Sequence, residues 1–374
     1  MIRVLQFADI VNRHDFIDTI VQKADPSRFE VGVCVRSNDS NIAAPVYGER
    51  TPRWLLGGTS RREWPRAAWR LADILSKWKA DILHAHHYDQ AVIGWMATRI
   101  HPRTRLVLGR HYSDAIYRLP SGMKRKAFLR IERSANDGAK RIIVPSALIR
   151  EILTQRQGVR PDKVDLIPYG FEPEKYAGVA PSEIAMVREG LGLEGRFAIG
   201  TFARLHEEKG HRFLLEAIAS LRERVPRLLL LVVGEGPERP AVERQVERLG
   251  LGHSVRLLGW RRDAMELMAS VDAVVQPTLQ EAFSQVMVEA LWMQKPLVMT
   301  EVSGAPDIIT DGENGLLVPR GDALALARAI GRLADDPGLR ARLGRAGRAY
   351  VENNLTIGRI IGRYERSYLR VMES

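Results

Sequence analysis

Cysteine is almost missing from this chain: Cys34 is the only one in 374 residues. One thiol excludes an internal disulfide and suits a reducing compartment. Long apolar runs are missing as well. No stretch approaches the roughly 20 residues that cross a bilayer, and the apolar opening at 2–7 is too short for a signal peptide. The expectation is a cytoplasmic protein not integral to a membrane. Metal-ligand spacing is also lacking. His84, His86 and His87 lie close together, but no cysteine partner or helical His-x3-His spacing supports zinc. Nor is there a recognisable nucleic-acid-binding motif.

What remains is an ordinary globular composition, 45% hydrophobic and 27% charged, long enough for two domains with their own cores. The net charge is +11, and it is unevenly spread. Residues 99–160 hold 15 Lys plus Arg against 4 Asp plus Glu, and the rest of the chain balances 41 against 41. One segment carries the whole excess, which points to an anionic partner surface. Within it, 123–136 places Lys124, Arg125, Lys126, Arg130 and Arg133 around Met123, Phe128, Leu129 and Ile131. This pattern fits a basic amphipathic helix, either a solvated face with a core side or a helix that lies on an anionic membrane.

The most informative stretch is 276–315. The apolar run 273–275 reads as a short buried strand, which Pro277 stops from pairing further. A polar loop carries Glu281. Ser284 then stands as an N-cap before Val286, Met287, Ala290, Leu291 and Met293 at helical spacing. A strand, a loop and a helix start in that order make an anion site: the first helical N–H groups are unpaired and the dipole favours negative charge. A diphosphate fits at Phe283, Ser284 and Gln285. Glu281 and Glu289, with seven residues between them, suit sugar hydroxyls better than phosphate. By spacing alone they are equally a loop charge and a solvated helix charge.

The combined pattern resembles the donor-site segment of the family 4 retaining glycosyltransferases. The residues that carry the likeness are Pro277-Thr278, Glu281-Ala282-Phe283-Ser284, Glu289-Ala290, Gly304-Ala305-Pro306-Asp307-Ile308 and Asp311-Gly312-Glu313-Asn314-Gly315. Ala282 stands where the family prefers Gly, and Asp307 where it prefers Glu. Further matches are the strand end at Asp81 to His86, the strand 141–146 ending in Ser146 as a cap, the crossing at 163–172, and Ala203-Arg204-Leu205 with Glu208-Lys209-Gly210. Tyr169 and Glu172 replace the usual Asn and Asp. Asn12-Arg13 stands where the family often has Gly-Gly.

The resemblance implies an α/β protein of the GT-B fold: two facing Rossmann-like, doubly wound domains with an interdomain crevice. Residues 1–170 form the acceptor domain and 171–374 the nucleotide-sugar domain, with a final helix at about 357–372 returning across the first. It implies transfer of a sugar from a nucleotide diphosphosugar to a saccharide or lipid-linked acceptor with retention, in polysaccharide or glycolipid biosynthesis, without a metal or other cofactor. Arg204 and Lys209 would hold the diphosphate, Glu281 the donor sugar and Glu289 the ribose. His111, at the end of the strand 105–109, would face the sugar. The backbone at Trp260-Arg261 would meet the nucleobase, and Gly200 in the strand 197–202 counts with the donor-binding residues. A sugar-nucleotide epimerase, a sugar phosphorylase, or a non-catalytic member that only binds sugar nucleotide stay open as alternatives.

Overall fold

The computed structural model describes residues 1–9, 15–37, 51–58, 60–111, 122–176 and 179–373. Asn12 and Arg13 lie outside the described residues. Two compact units share the chain. One is Met1–Gly170 with Ile357–Ser374, the other Phe171–Thr356.

Among the described residues the first unit holds seven strands: β1 (Ile2–Asp9), β2 (Phe29–Arg36), β3 (Arg53–Leu56), β4 (Ile82–His86), β5 (Arg105–Gly109), β6 (Arg141–Val144) and β7 (Val164–Leu166). They pair in parallel in the order β3-β2-β1-β4-β5-β6-β7. The second holds β8 (Phe197–Phe202), β9 (Leu228–Val233), β10 (Val255–Gly259), β11 (Ala273–Gln276), β12 (Leu297–Thr300) and β13 (Leu316–Val318). Their order is β10-β9-β8-β11-β12-β13, again parallel. Helices cover both faces of a parallel sheet, so its strands are largely apolar. Leu228–Val233, buried at every position, is the plainest case.

Each order reverses at one place, between β1 and β4 in the first sheet and between β8 and β11 in the second. Chain leaving the carboxyl ends of the strands there opens the crevice where open α/β sheets bind ligands. The helix Trp64–Trp78 buries Ala67, Ala68, Leu71, Ala72 and Leu75 at helical spacing and ends at left-handed Lys79. The edge strand β3 packs its Trp54 against Trp78, the two rings tilted with centroids 5.2 Å apart. The last helix, Ile357–Glu373, lies in the core of the first unit: Ile360, Ile361, Tyr364, Tyr368 and Val371 pack with Val4, Ile17, Ile20, Ile82 and Val107. Each such side chain, once fully buried, contributes about 1.5–3 kcal/mol.

Candidate active site

In the second unit, loops from the carboxyl ends of β8 and β11 dock on each other. The N–H of Leu279 donates to the carbonyl of Glu208 at 2.7 Å. Gly210 sits at φ +68°, and a Cβ there would lie 2.1 Å from the carbonyl oxygen of Pro277. Only glycine permits both the left-handed turn and that approach. The contact brings Lys209 Nζ to 3.0 Å from Glu281 Oε1, with the two side chains 13% and 22% exposed. Burial raises the Glu281 carboxyl above its usual range, and the Lys209 charge opposes that rise.

Beyond Glu281 the helix Gln285–Trp292 begins. Ser284 caps it, its Oγ accepting the N–H of Met287 at 3.2 Å. The hydroxyl of Ser303 donates to the carbonyl of Ala282, and that of Thr300 to Thr278, so the end of strand β12 and the residues just after it pin the loop. Phe283 turns into the core, Gln285 is exposed, and Glu289 is half-buried one turn further along. The Gly-x-Gly after β9 has a structural cause. A Cβ on Gly234 would lie 1.9 Å from the carbonyl oxygen of Ala203, and one on Gly236 2.3 Å from that of Leu205. These glycines clasp the loop that presents Arg204, whose side chain is 76% exposed and 3.6 Å from Glu208.

Two expected donor residues are placed differently from the rest. Arg261 closes a two-bond pair with Asp263 at 2.7 and 2.5 Å. Gly200 lies inside β8, paired with Leu231 and Val274, where a Cβ would meet the Phe202 ring at 2.6 Å. Its observed role is to make room for Phe202. In the run Asp311 to Gly315, Asn314 is a stitch: its side chain accepts from Thr310 N–H at 2.8 Å and donates to the carbonyl of Ile308 at 2.9 Å.

The first unit holds a second polar centre. His111 follows β5, and its Nε2 lies 2.9 Å from His86 Nδ1 while its Nδ1 lies 2.8 Å from the Tyr169 hydroxyl. His86 Nε2 is 2.8 Å from Gln6 Oε1. The Gln6 amide donates to Tyr368 at 3.0 Å, and the Tyr368 hydroxyl is 2.8 Å from His84 Nδ1. Burial lowers the His84 pKa to about 3, so this ring is neutral. Beside it, Arg110 pairs with Glu132 at 3.2 Å, the two side chains 3% and 4% exposed. Gln157 accepts from Arg110 and Asn136 and donates to Glu132.

Glu132 and Asn136 come from the helix Met123–Gly138, whose buried residues are Glu132, Ala135 and Asn136. Its core side is therefore largely polar. Of the apolar residues expected to face inward, Met123 is 89% and Ile131 37% exposed, while Phe128 stacks on Tyr88 at 3.7 Å. Lys126, Arg130, Arg133 and Arg156 line a groove of about 510 Å³ along this helix. Among the described residues no cluster of three or more His, Cys, Asp or Glu could hold a metal, and no helix is long and apolar enough to cross a membrane. Sequence reading missed Gln6 and Tyr368. The available signal was one amide in an apolar strand and one hydroxyl on the apolar stripe of the last helix.

Two parallel α/β sheets with these loops at their switch points define the GT-B class. The crystal structure of HepE from Anabaena in complex with UDP superimposes with a TM-score of 0.86 at 23% identity, covering 99% of this chain and 100% of HepE. Residues 16–175 match the family described as Glycosyltransferase Family 4, and residues 196–336 match Glycosyl transferases group 1. EpsD of Bacillus subtilis (strain 168), named as a glycosyltransferase, is 30% identical over 287 residues, 75% of this chain and 74% of EpsD. The 2-deoxystreptamine glucosyltransferase of Streptomyces kanamyceticus is 27% identical over 353 residues, 90% and 91% of the two chains. The chain belongs to the family 4, or group 1, glycosyltransferases, which transfer a sugar from a nucleotide sugar.

Proposed function

We propose that this protein transfers a hexose from a uridine diphosphosugar to a hydroxyl of a saccharide or lipid-linked acceptor, with retention and without a metal. The observation that carries this reading is the Lys209–Glu281 pair beside the capped helix start at Ser284. It sets a cation and unpaired N–H groups where a diphosphate leaves, and a carboxylate where hydroxyls bind. UDP is chosen because HepE, of the same fold, was crystallised with it.

In this reading Arg204 and Lys209 stabilise the departing diphosphate together with the backbone at Phe283, Ser284 and Gln285. Their charge does the work a metal would otherwise do. Glu281 orients the sugar, Glu289 the ribose, and His111 of the first unit the sugar again; Arg261 and Gly200 flank the donor. The anomeric carbon loses its bond to the β-phosphate oxygen and gains one to the acceptor oxygen on the same face. The acceptor proton passes to the departing phosphate, so no side-chain base is needed. The basic helix and its groove dock the enzyme on an anionic, cytoplasmic membrane face, where lipid-linked acceptors lie.

A thermal-shift panel of nucleotide sugars identifies the donor, since a ligand that binds only the folded state raises the melting temperature. Product NMR then reads the anomeric configuration. An inverted product, or no shift with any uridine donor, overturns the reading at that point. For the membrane part, neutralising Lys124, Arg125 and Lys126 together should abolish most binding to anionic vesicles at low salt, since each cation near such a surface contributes about 1 kcal/mol. Wild-type protein that ignores those vesicles defeats the docking.

A further inference from the structure

Six side chains in the first unit form one unbroken hydrogen-bonded chain from Tyr169 through His111, His86, Gln6 and Tyr368 to His84. Gln6, His84 and His86 are fully buried and Tyr368 is 1% exposed. The chain joins five separate pieces of sequence, Tyr169 following β7. Gln6 is on β1, His84 and His86 on β4, His111 after β5, and Tyr368 on the last helix. Gly109 is the floor on which the rings meet. A Cβ there would lie 2.5 Å from His86 Nδ1, 2.7 Å from His111 Nε2 and 3.0 Å from His84 Nε2.

The chemistry of each link fixes the next. The Gln6 amide is oriented with its nitrogen toward Tyr368, so its oxygen faces His86 and can only accept. His86 therefore carries its proton on Nε2, and a neutral His86 presents a bare Nδ1. His111 must then donate from Nε2, and in the neutral ring Nδ1 is left to accept the Tyr169 hydroxyl. At the far end the Tyr368 oxygen accepts the Gln6 amide N–H, and its hydroxyl donates to His84 Nδ1. Burial holds the Tyr368 hydroxyl in its protonated form, so it can fill both roles. An extra proton on His86 would set N–H against N–H. The outer partner of an imidazole decides which nitrogen is protonated, and here that decision is passed along three hydrogen bonds.

We propose that Tyr368, Gln6 and His86 are positioning residues that fix His111 as a neutral imidazole with its proton on Nε2, so that its Nδ1 is an acceptor. Its use in transfer rests on the reading that His111 serves the donor sugar. The ring then meets a sugar hydroxyl as an acceptor at Nδ1, in exchange with the hydroxyl of Tyr169. The last helix thereby reaches the site through Tyr368.

Nitrogen NMR of the full-length protein, labelled with 15N-histidine and assigned with His111→Gln, tests this directly. Wild type should show His111 protonated at Nε2 and bare at Nδ1 at neutral pH. Tyr368→Phe removes one oxygen three hydrogen bonds away and should turn His111 into a mixture of tautomers, as should Gly109→Ala. Tyr368→Phe should also lower kcat for sugar transfer about fivefold, the loss of one hydrogen bond, while affinity for free nucleoside diphosphate stays constant. A His111 protonated at Nδ1 or doubly protonated in wild type overturns the proposal. So does a His111 unmoved in Tyr368→Phe, a variant mild enough to fold if Gly109→Ala does not. Full activity in His111→Gln would instead remove the role of His111 at the sugar and leave the tautomer result standing.

Discussion

The polar residues of the two units are kept in opposite states. In the first unit they are buried and satisfy one another: Arg110 holds Glu132, and the six-member relay leaves His111 with both ring nitrogens engaged. In the second they stand at the edge of solvent. Arg204 is three-quarters exposed, and the Lys209–Glu281 pair is reachable. A site that exchanges its partners for a ligand has to keep them accessible, while one that sets a geometry does better with them locked. Breaking the Arg110–Glu132 pair should therefore read out chiefly as stability, and changing Arg204 or Lys209 chiefly as turnover or affinity.

The largest effect should come from Arg110→Met. It strands a buried carboxylate at Glu132, a loss of about 3–5 kcal/mol visible in the urea midpoint. A change under about 1 kcal/mol would mean Glu132 finds another partner, as only a looser interior permits. Lys209→Ala and Arg204→Ala should instead show first in turnover, which should fall roughly 10²–10³-fold for each. The melting temperature should be nearly kept in Arg204→Ala, whose side chain is 76% exposed, and should drop in Lys209→Ala, which takes the cation from the largely buried Glu281. Near-normal turnover in either variant removes that residue from the diphosphate site.

Acid should bear on both units at once. Burial lowers His84 to about 3 in the first and His211 to about 4 in the second, from an ordinary 6.5. The unfolded chain takes up a proton at each histidine below pH 6.5 and the folded chain does not. Stability is therefore whole above pH 6.5 and falls as the pH drops toward 4 and then 3. His84→Gln should flatten that loss in urea titrations at pH 7 and pH 4.5. An unchanged slope would mean that His84 is already charged in the folded chain. The smallest effect is a split between the two carboxylates. Glu289→Ala should weaken nucleoside diphosphate binding about tenfold by loss of one charged hydrogen bond. Glu281→Ala should spare that binding and harm transfer. Calorimetry with the reverse order would exchange their roles.

What the sequence disclosed followed the same division. Strands of unbroken apolar residues, such as Leu228–Val233, and the helix Trp64–Trp78 with its single face were legible because burial imposes a period. The helix His87–Ile100 went unassigned, since its buried residues Gln90, Ala91, Val92, Ile93, Gly94 and Ala97 leave no polar face to read. In the second unit Lys209, Glu281 and Ser284 lie in short local runs, and the loops bring them together as those runs suggest. The packing of Phe202 against Gly200 was not legible, because that crowding exists only after folding. Ser146 stands at a helix start but makes no capping bond. The relay was out of reach for a different reason: Gln6 and Tyr368 are 362 positions apart and belong to no common motif.

The return of the last helix to the first unit sets an order of birth. On the ribosome, residues 171–356 emerge as an uninterrupted piece and can close their own sheet. Residues 1–170 emerge earlier but must wait for Ile360, Tyr364 and Tyr368 before their core is complete. The older half of the chain is thus the later one to mature, against the usual sequence in which the first domain made is the first folded. Nascent chains halted just after residue 356 and released into protease should lose the first unit and keep the second. Equal survival of both would show that the first sheet holds without its final helix.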